Sequence, residues 1–504
     1  MSSETALSRL TGRIERLGNA LPHPFWIFVG FTIALAVLSA AGAALEGAVR
    51  HPATGEVQPI RSLFSREGLG WLLANALENV ARFRPLSLVL TMLVGIGLAE
   101  RTGFFEAAIR RLMTGVPPAF VPAMVVFAGI LANIASDVSY LIMPPLGAAV
   151  FAAAGRAPLA GFCAALAGTG AGYTANLLIA GTDVLSAGIT TQAAQIIQPQ
   201  LVVSPLCNWY FMSASAFLLT AIGAGLTTRW LEPGLAPTAR ETLSPPAPDP
   251  VARRALRHAW LAGGGYALSI AALTVPERGW LHAAPGGDFE HSPFMLGIVP
   301  LLSLGFGVLG TTYGVATGAI RRAADVPRLI GEAAREMSGF FVVAVAIAQF
   351  LACFQWTNAG VFLAVHGADA ARGAGFTGLP LLFAIALITA VLSLFVASSS
   401  ALWSLLAPIF VPMCMLLGFH PAAPQVAFRI AESATNTITP MTAYLVVLVP
   451  QLQRLRPQAG LGTLIALMAP YSAAFFIGWL ALLAAWYFAG WPLGPGAPLR
   501  PFAP

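Results

Sequence analysis

Apolar residues run in blocks of about twenty along most of the chain, and short polar stretches between the blocks hold most of its charge. An α-helix of about 20 apolar residues matches the ~30 Å hydrocarbon core of a bilayer. On this pattern, membrane spans fall near 25–45, 85–100, 158–197, 204–227, 259–275, 294–320, 338–365, 421–452 and 463–488. The chain is therefore expected to be an all-α integral membrane protein with about nine transmembrane helices. A β-barrel would show short alternating segments instead.

Two further regions, 119–154 and 378–417, each read as two apolar helices broken by a short polar turn. The turns are Ala135-Ser136-Asp137-Val138-Ser139 and Ala397-Ser398-Ser399-Ser400. If both regions are re-entrant hairpins, the arginines sort into eighteen on one side, among them Arg101 and Arg335, and eight on the other, among them Arg82 and Arg372. The positive-inside rule makes the first side the cytoplasm. The N-terminus is then cytoplasmic and the C-terminus periplasmic or extracellular, in an inner (cytoplasmic) membrane crossed many times. Residues 1–20 are polar, and no clear cleavage site comes after the first apolar run, so that run is read as a retained span. The Pro- and Arg-rich stretch 228–258 reads as a cytoplasmic linker between an N-terminal membrane half, 1–227, and a C-terminal half, 259–504.

Sliding the chain against itself by 263 residues aligns Ser136 with Ser399, Tyr140 with Trp403, Pro145 with Pro408, Gly155 with Gly418 and Pro158 with Pro421. With a small slip, each copy's next helix is interrupted, by Gly172-Tyr173-Thr174-Ala175-Asn176 and by Ser433-Ala434-Thr435-Asn436-Thr437. The arginine count makes the two hairpins enter from opposite sides. Oppositely oriented repeats with broken helices are the architecture of secondary transporters, whose sites lie where the breaks meet.

Composition narrows the chemistry. Hydrophobic residues make up 57% and charged residues 10%, with a mean hydropathy of +0.77, whereas a soluble domain carries about 25% charged residues. All 27 basic residues are arginine. Without lysine the chain has no P-loop and no Schiff-base pigment. The basic excess lies in short loops, so it sets membrane orientation and is not a nucleic-acid surface. Cys163, Cys207, Cys353 and Cys414 are isolated in apolar segments and read as buried thiols. Gly305-Phe306-Gly307-Val308-Leu309-Gly310 fits GxGxxG, but it sits inside a span with no strand before it and reads as helix packing. The seven histidines show no metal-ligand spacing.

Arg429 alone among the arginines falls inside a span, where a charge is costly and functional by default. Its planar fork suits a carboxylate or sulfonamide; the alternative is a structural pair with Glu432, three residues on. Glu432 is itself a candidate proton carrier. Asp183 comes directly after a helix break and fits either a helix cap or a ligand for a proton, a cation or a polar substrate group. Asn176, Asn436 and Thr437 supply neutral oxygens at the breaks, which makes sodium a possible ion at Asn176 and Asn436. Asp137 reads as the cap of its hairpin turn or as a cation ligand. Trp403 either stacks on an aromatic substrate or packs.

The segments Leu402–Pro412 and Arg429–Met441 resemble the signature of the p-aminobenzoyl-glutamate transporter (AbgT) family. So do Ala175–Asp183 and Ala187–Thr191, and the similarity covers essentially the whole chain. The resemblance implies a homodimer of nine-span, two-hairpin protomers. It implies uptake of p-aminobenzoyl-glutamate or efflux of p-aminobenzoate-like sulfonamide antimetabolites. It also places Asp183, Ser393, Trp403, Pro421 and Arg429 on the substrate pathway. Three positions depart from the family pattern: Ser393 stands where Asn is expected, Leu402 where Lys is, and Glu432 where Asp is. The first two remove polar reach, so a shifted substrate range is expected.

The function expected from all this is alternating access for a small aromatic carboxylate or sulfonamide, driven by a proton or sodium gradient, with no other cofactor and no enzymatic activity. A channel is the first rival, but no TVGYG filter is present. A membrane-embedded enzyme is the second, but no catalytic dyad is visible.

Overall fold

The computed structural model describes residues 22–135, 138–235, 249–285, 287–289, 292–396, 398–439 and 444–500. The polar N-terminus, Asp137 and the Pro-rich part of the linker, 236–248, lie outside them. Among the described residues, eight helices are long and apolar enough to cross a membrane, and three shorter apolar helices accompany them.

The chain enters by α1 (Pro24–Ala44) and a small hairpin of β1 (Ala48–Arg50) and β2 (Val57–Pro59). It continues in α2 (Arg66–Ala81) and α3 (Arg84–Arg101), then in a short amphipathic α4 (Phe104–Leu112). The first repeat comes next: hairpin arms α5 (Val121–Ala132) and α6 (Val138–Ala153), then α7 (Pro158–Leu166), a π-turn Ala167–Ala171, and α8 (Gly181–Ala194) after the break. Beyond it lie α9 (Trp209–Leu226), α10 (Pro250–Thr274), α11 (Ile298–Thr317), α12 (Asp325–Glu336), α13 (Ser338–Trp356) and α14 (Ala359–Gly373). The second repeat has arms α15 (Leu379–Ser393) and α16 (Ser399–Leu416), then α17 (Ala422–Asn436) and, after its break, α18 (Leu445–Leu455). The 29-residue α19 (Leu461–Ala489) closes the bundle.

The repeat read from the sequence reappears in the backbone. Gly155 and Gly418 both have left-handed φ, +73° and +80°, which an L side chain rarely tolerates. Each closes its hairpin arm with the same six-residue bond, Arg156 N to Phe151 O at 2.8 Å and Phe419 N to Cys414 O at 3.0 Å. Pro158 then opens α7, and Pro421 caps α17, positions where a missing N–H costs nothing. The units also exchange partners: α8 packs on the second hairpin's α16, and α18 packs on the first hairpin's α6.

The rest of the bundle is a scaffold that pairs backbone to backbone. A Cβ at Gly95 would come within 1.8 Å of the Ser303 carbonyl oxygen, and one at Gly310 within 2.6 Å of Ala99 Cα. Ser303 completes the join, donating to Thr91 O at 2.6 Å and accepting from Gly95 N at 3.1 Å. The GxGxxG match is thus part of a close helix contact.

Several boundaries differ from the sequence pattern. The span near 85–100 extends back to Arg66 as an elbow at 82–83, where Pro85 opens the second helix. The span 338–365 is two helices, because Asn358 turns the chain with φ +61°. The linker is shorter than 228–258, since α10 begins at Pro250 under an Asp249 cap that accepts from Val251 N at 2.9 Å. The spans 158–197 and 421–452 are each divided at the break.

Candidate functional site

The two breaks bring charged residues together at the middle of the bundle. Arg429 is 2% exposed, and its Nη2 donates to Asp183 Oδ1 at 2.5 Å and to the Thr174 carbonyl at 2.9 Å. Asp183 lies in the first turn of α8 and uses its other oxygen, Oδ2, to accept the Ala180 N–H at 2.7 Å. Of the two readings of Asp183, the structure gives the helix-start role in altered form, from the third position of α8 with Ala180 as the N-cap, and adds the Arg429 guanidinium as a charge partner. Thr174 Oγ1 lies 2.7 Å from Ser433 Oγ, a second tie between the repeats. The ion pair of Arg429 is thus with Asp183 and not with Glu432, the alternative partner three residues on. The α17 helix turns Glu432 toward a cavity, while Arg429 reaches across to the first repeat.

That cavity has a volume of about 350 Å³ and lies between the scaffold and the repeat tips. The scaffold contributes Met92, Ile96, Glu100, Glu336 and Phe340; the repeats contribute Tyr140, Tyr173, Thr182, Ser398, Ser399, Ser400, Glu432, Asn436 and Tyr444. Glu432 shares the cavity wall with Ser399 at the second hairpin tip and accepts from Ser433 at 3.5 Å. Asn436 Nδ2 donates to Tyr140 Oη at 2.9 Å. A second cavity of about 310 Å³, lined by Arg101, Glu106, Ser139 and Met143, shares Glu100 with the first. Between them Arg101 and Glu336 form an ion pair.

Not every expected residue faces the cavity. Trp403 is 1% exposed; its ring packs on Phe428 with centroids 4.6 Å apart, and its Nε1 donates to Thr190 Oγ1 at 3.0 Å. Packing, not ring exposure, is its role here. Ser393 Oγ lies 2.6 Å from Thr435 Oγ1, so the departure from Asn is absorbed by a local hydroxyl pair. Pro421 is buried at its corner. Asn176 and Thr437 are buried, and Asn176 Nδ2 and Thr437 Oγ1 have no hydrogen-bond partner among the described residues. Sequence reasoning missed Tyr444, Glu100 and Glu336. Tyr444 stands at the same 263-residue offset from Gly181, another cavity wall, which is the signal that would have found it.

Hydrogen bonds also tie the far end of α8 to the scaffold. Gln355 Nε2 donates to the Gln192 carbonyl at 3.1 Å, Gln192 Nε2 donates to Arg82 O at 3.5 Å, and His51 Nε2 lies 3.3 Å from the Ile196 carbonyl.

Known proteins share this outline. The profile of the "AbgT putative transporter family" matches residues 9–500. The chain is 42% identical over 500 residues to the p-aminobenzoyl-glutamate transport protein of Escherichia coli (strain K12), covering 98% of this chain and 97% of that one. Its structure resembles that of the Alcanivorax borkumensis YdaH transporter, with a TM-score of 0.89 and 36% identity, over 94% of this chain and all of the other. It also resembles Neisseria gonorrhoeae MtrF, said to illuminate a class of antimetabolite efflux pumps, with a TM-score of 0.91 and 39% identity over 97% of this chain and all of MtrF.

Proposed function

Because this chain belongs to the AbgT family of membrane transporters, we propose that it carries p-aminobenzoyl-glutamate and related aryl amides or sulfonamides by ion-coupled alternating access. The observation that carries this reading is the Asp183–Arg429 pair, which joins the two repeats at the depth where their helices break, beside a cavity that reaches the scaffold. Discontinuous helices at such a junction are where transporters hold substrate and ion.

In this reading the α8 end near Gln192 faces outside and the cavity mouth near Arg101 and Glu336 faces the cytoplasm of a bacterial inner membrane. The hydrogen bonds at Gln192, Gln355 and His51 hold the outer side shut. The repeats then move as one body against the scaffold to open it. In a Cys-free background, a single cysteine at position 335 is expected to react only from the cytoplasmic side and one at 372 only from outside. Labelling of both from one side would contradict the orientation. The protomer is further proposed to pair as a homodimer, which light scattering on the detergent-solubilised protein checks.

Two kinds of group are available for coupling. Glu432, a carboxyl on the cavity wall, suits a proton. The buried oxygens at the breaks, including Thr437 Oγ1, suit sodium, a hard cation that takes neutral oxygen ligands. In proteoliposomes with proton and sodium gradients imposed separately, labelled p-aminobenzoyl-glutamate is expected to move against its own gradient with one of them and to stop when that gradient is collapsed. Movement indifferent to both gradients would contradict ion coupling.

A further inference from the structure

The aromatic contact expected at Trp403 is absent from the cavity, yet the cavity has an aromatic wall of its own. Tyr140 and Tyr444 both line it and stack in parallel, with ring centroids 4.2 Å apart and planes 8° from each other. Tyr140 comes from the first hairpin and Tyr444 from the residue before α18, so the stack is a further join between the two repeats.

The stack is held from behind. Tyr140 is 3% exposed, and its hydroxyl accepts from Asn436. Its ring edge rests on the π-turn, where a Cβ at Gly170 would lie 3.5 Å from Tyr140 Cε1 and 2.3 Å from Thr437 Cγ2. The bare backbone at Gly170 leaves room for Thr437, and the Tyr140 ring lies at ordinary contact distance beside it. Tyr444 is half-buried, more open than Tyr140, and lines the cavity. A ring fixed before binding loses little freedom when a second ring lies on it, and stacked aromatic pairs gain beyond the area they bury.

We propose that Tyr444, supported by Tyr140, is the specificity-determining platform for the aromatic ring of the substrate. The inference rests on the reading of the site as one for aryl amides and names the residue that selects the ring.

The test compares two ligands that differ only in ring character, benzoyl-glutamate and cyclohexanecarbonyl-glutamate, by calorimetric titration of the purified full-length protein. The parent is expected to favour the aromatic ligand. Tyr444→Leu is expected to weaken the aromatic ligand about tenfold and leave the saturated one nearly unchanged, so that the preference collapses; Tyr444→Phe is expected to retain most of it. Tyr444→Met, which keeps bulk without a ring, serves if Tyr444→Leu does not fold. An unchanged preference in either ring-free variant would overturn the platform. A parent protein that binds the aromatic and saturated ligands equally would overturn it too, without touching the transporter reading. Binding of neither ligand by the folded parent would overturn the aryl-amide reading and the platform with it.

Discussion

Arg429→Ala is expected to cost the folded protein roughly 3–5 kcal/mol, because removing one member of a buried ion pair leaves the other charge uncompensated. Asp183 would be stranded in a site only 4% exposed, and the bonds from Arg429 Nη2 to Asp183 Oδ1 and to the Thr174 carbonyl would go with the guanidinium. Asp183→Ala should destabilise by a similar amount and also free the Ala180 N–H that starts α8. The double variant Asp183→Asn, Arg429→Gln leaves no uncompensated charge at the pair and should recover most of the folded yield. It should still fail to transport, because the charge that the two repeats share is gone. Thermal unfolding in detergent, measured beside transport in proteoliposomes, separates the two effects. Single variants as stable as the parent would show that the pair is not a structural link between the repeats.

The second large effect is expected in the scaffold. Gly95→Val places a branched side chain where even a Cβ would come within 1.8 Å of the Ser303 carbonyl. Overpacking of this kind typically costs about 1–3 kcal/mol, and here the obstacle is backbone, which has no rotamer to escape into. Helices that meet inside a bilayer depend on such small residues for close approach. The Ser303 bridge to Thr91 and Gly95 would break as well. Gly307→Ala is the matched control, since its Cβ would meet nothing closer than Gly95 Cα at 4.0 Å. Folded yield by size-exclusion chromatography should fall sharply for Gly95→Val and hold for Gly307→Ala; equal yields would contradict the close-packed scaffold.

Legible and hidden features of the sequence differ for physical reasons. The repeat was readable because glycine and proline mark backbone geometry directly: Gly155 and Gly418 turn the chain in the left-handed region, and Pro158 and Pro421 stand where the next helix begins. The helix breaks were readable because polar residues interrupt an apolar run at depth. The division at Asn358 was harder to read, since Gln355, Thr357 and Asn358 make only a short polar interruption before the apolar run resumes. The partner of Arg429 was hidden because it lies 246 residues away in the chain, whereas the sequence offers Glu432 within one helical turn. The burial of Trp403 and the exposure of Tyr444 to the cavity depend on how two hairpins face each other. That arrangement is set by packing between repeats, and no local pattern encodes it.

Counterflow distinguishes alternating access for p-aminobenzoyl-glutamate from passage through an open pore. Proteoliposomes are loaded with unlabelled p-aminobenzoyl-glutamate, diluted into a trace of labelled compound, and held without any ion gradient. The account predicts a transient accumulation of label above equilibrium, present with the parent protein and absent with the double variant Asp183→Asn, Arg429→Gln. Label that only equilibrates, at a rate unaffected by the unlabelled compound inside, would indicate a channel and contradict the account.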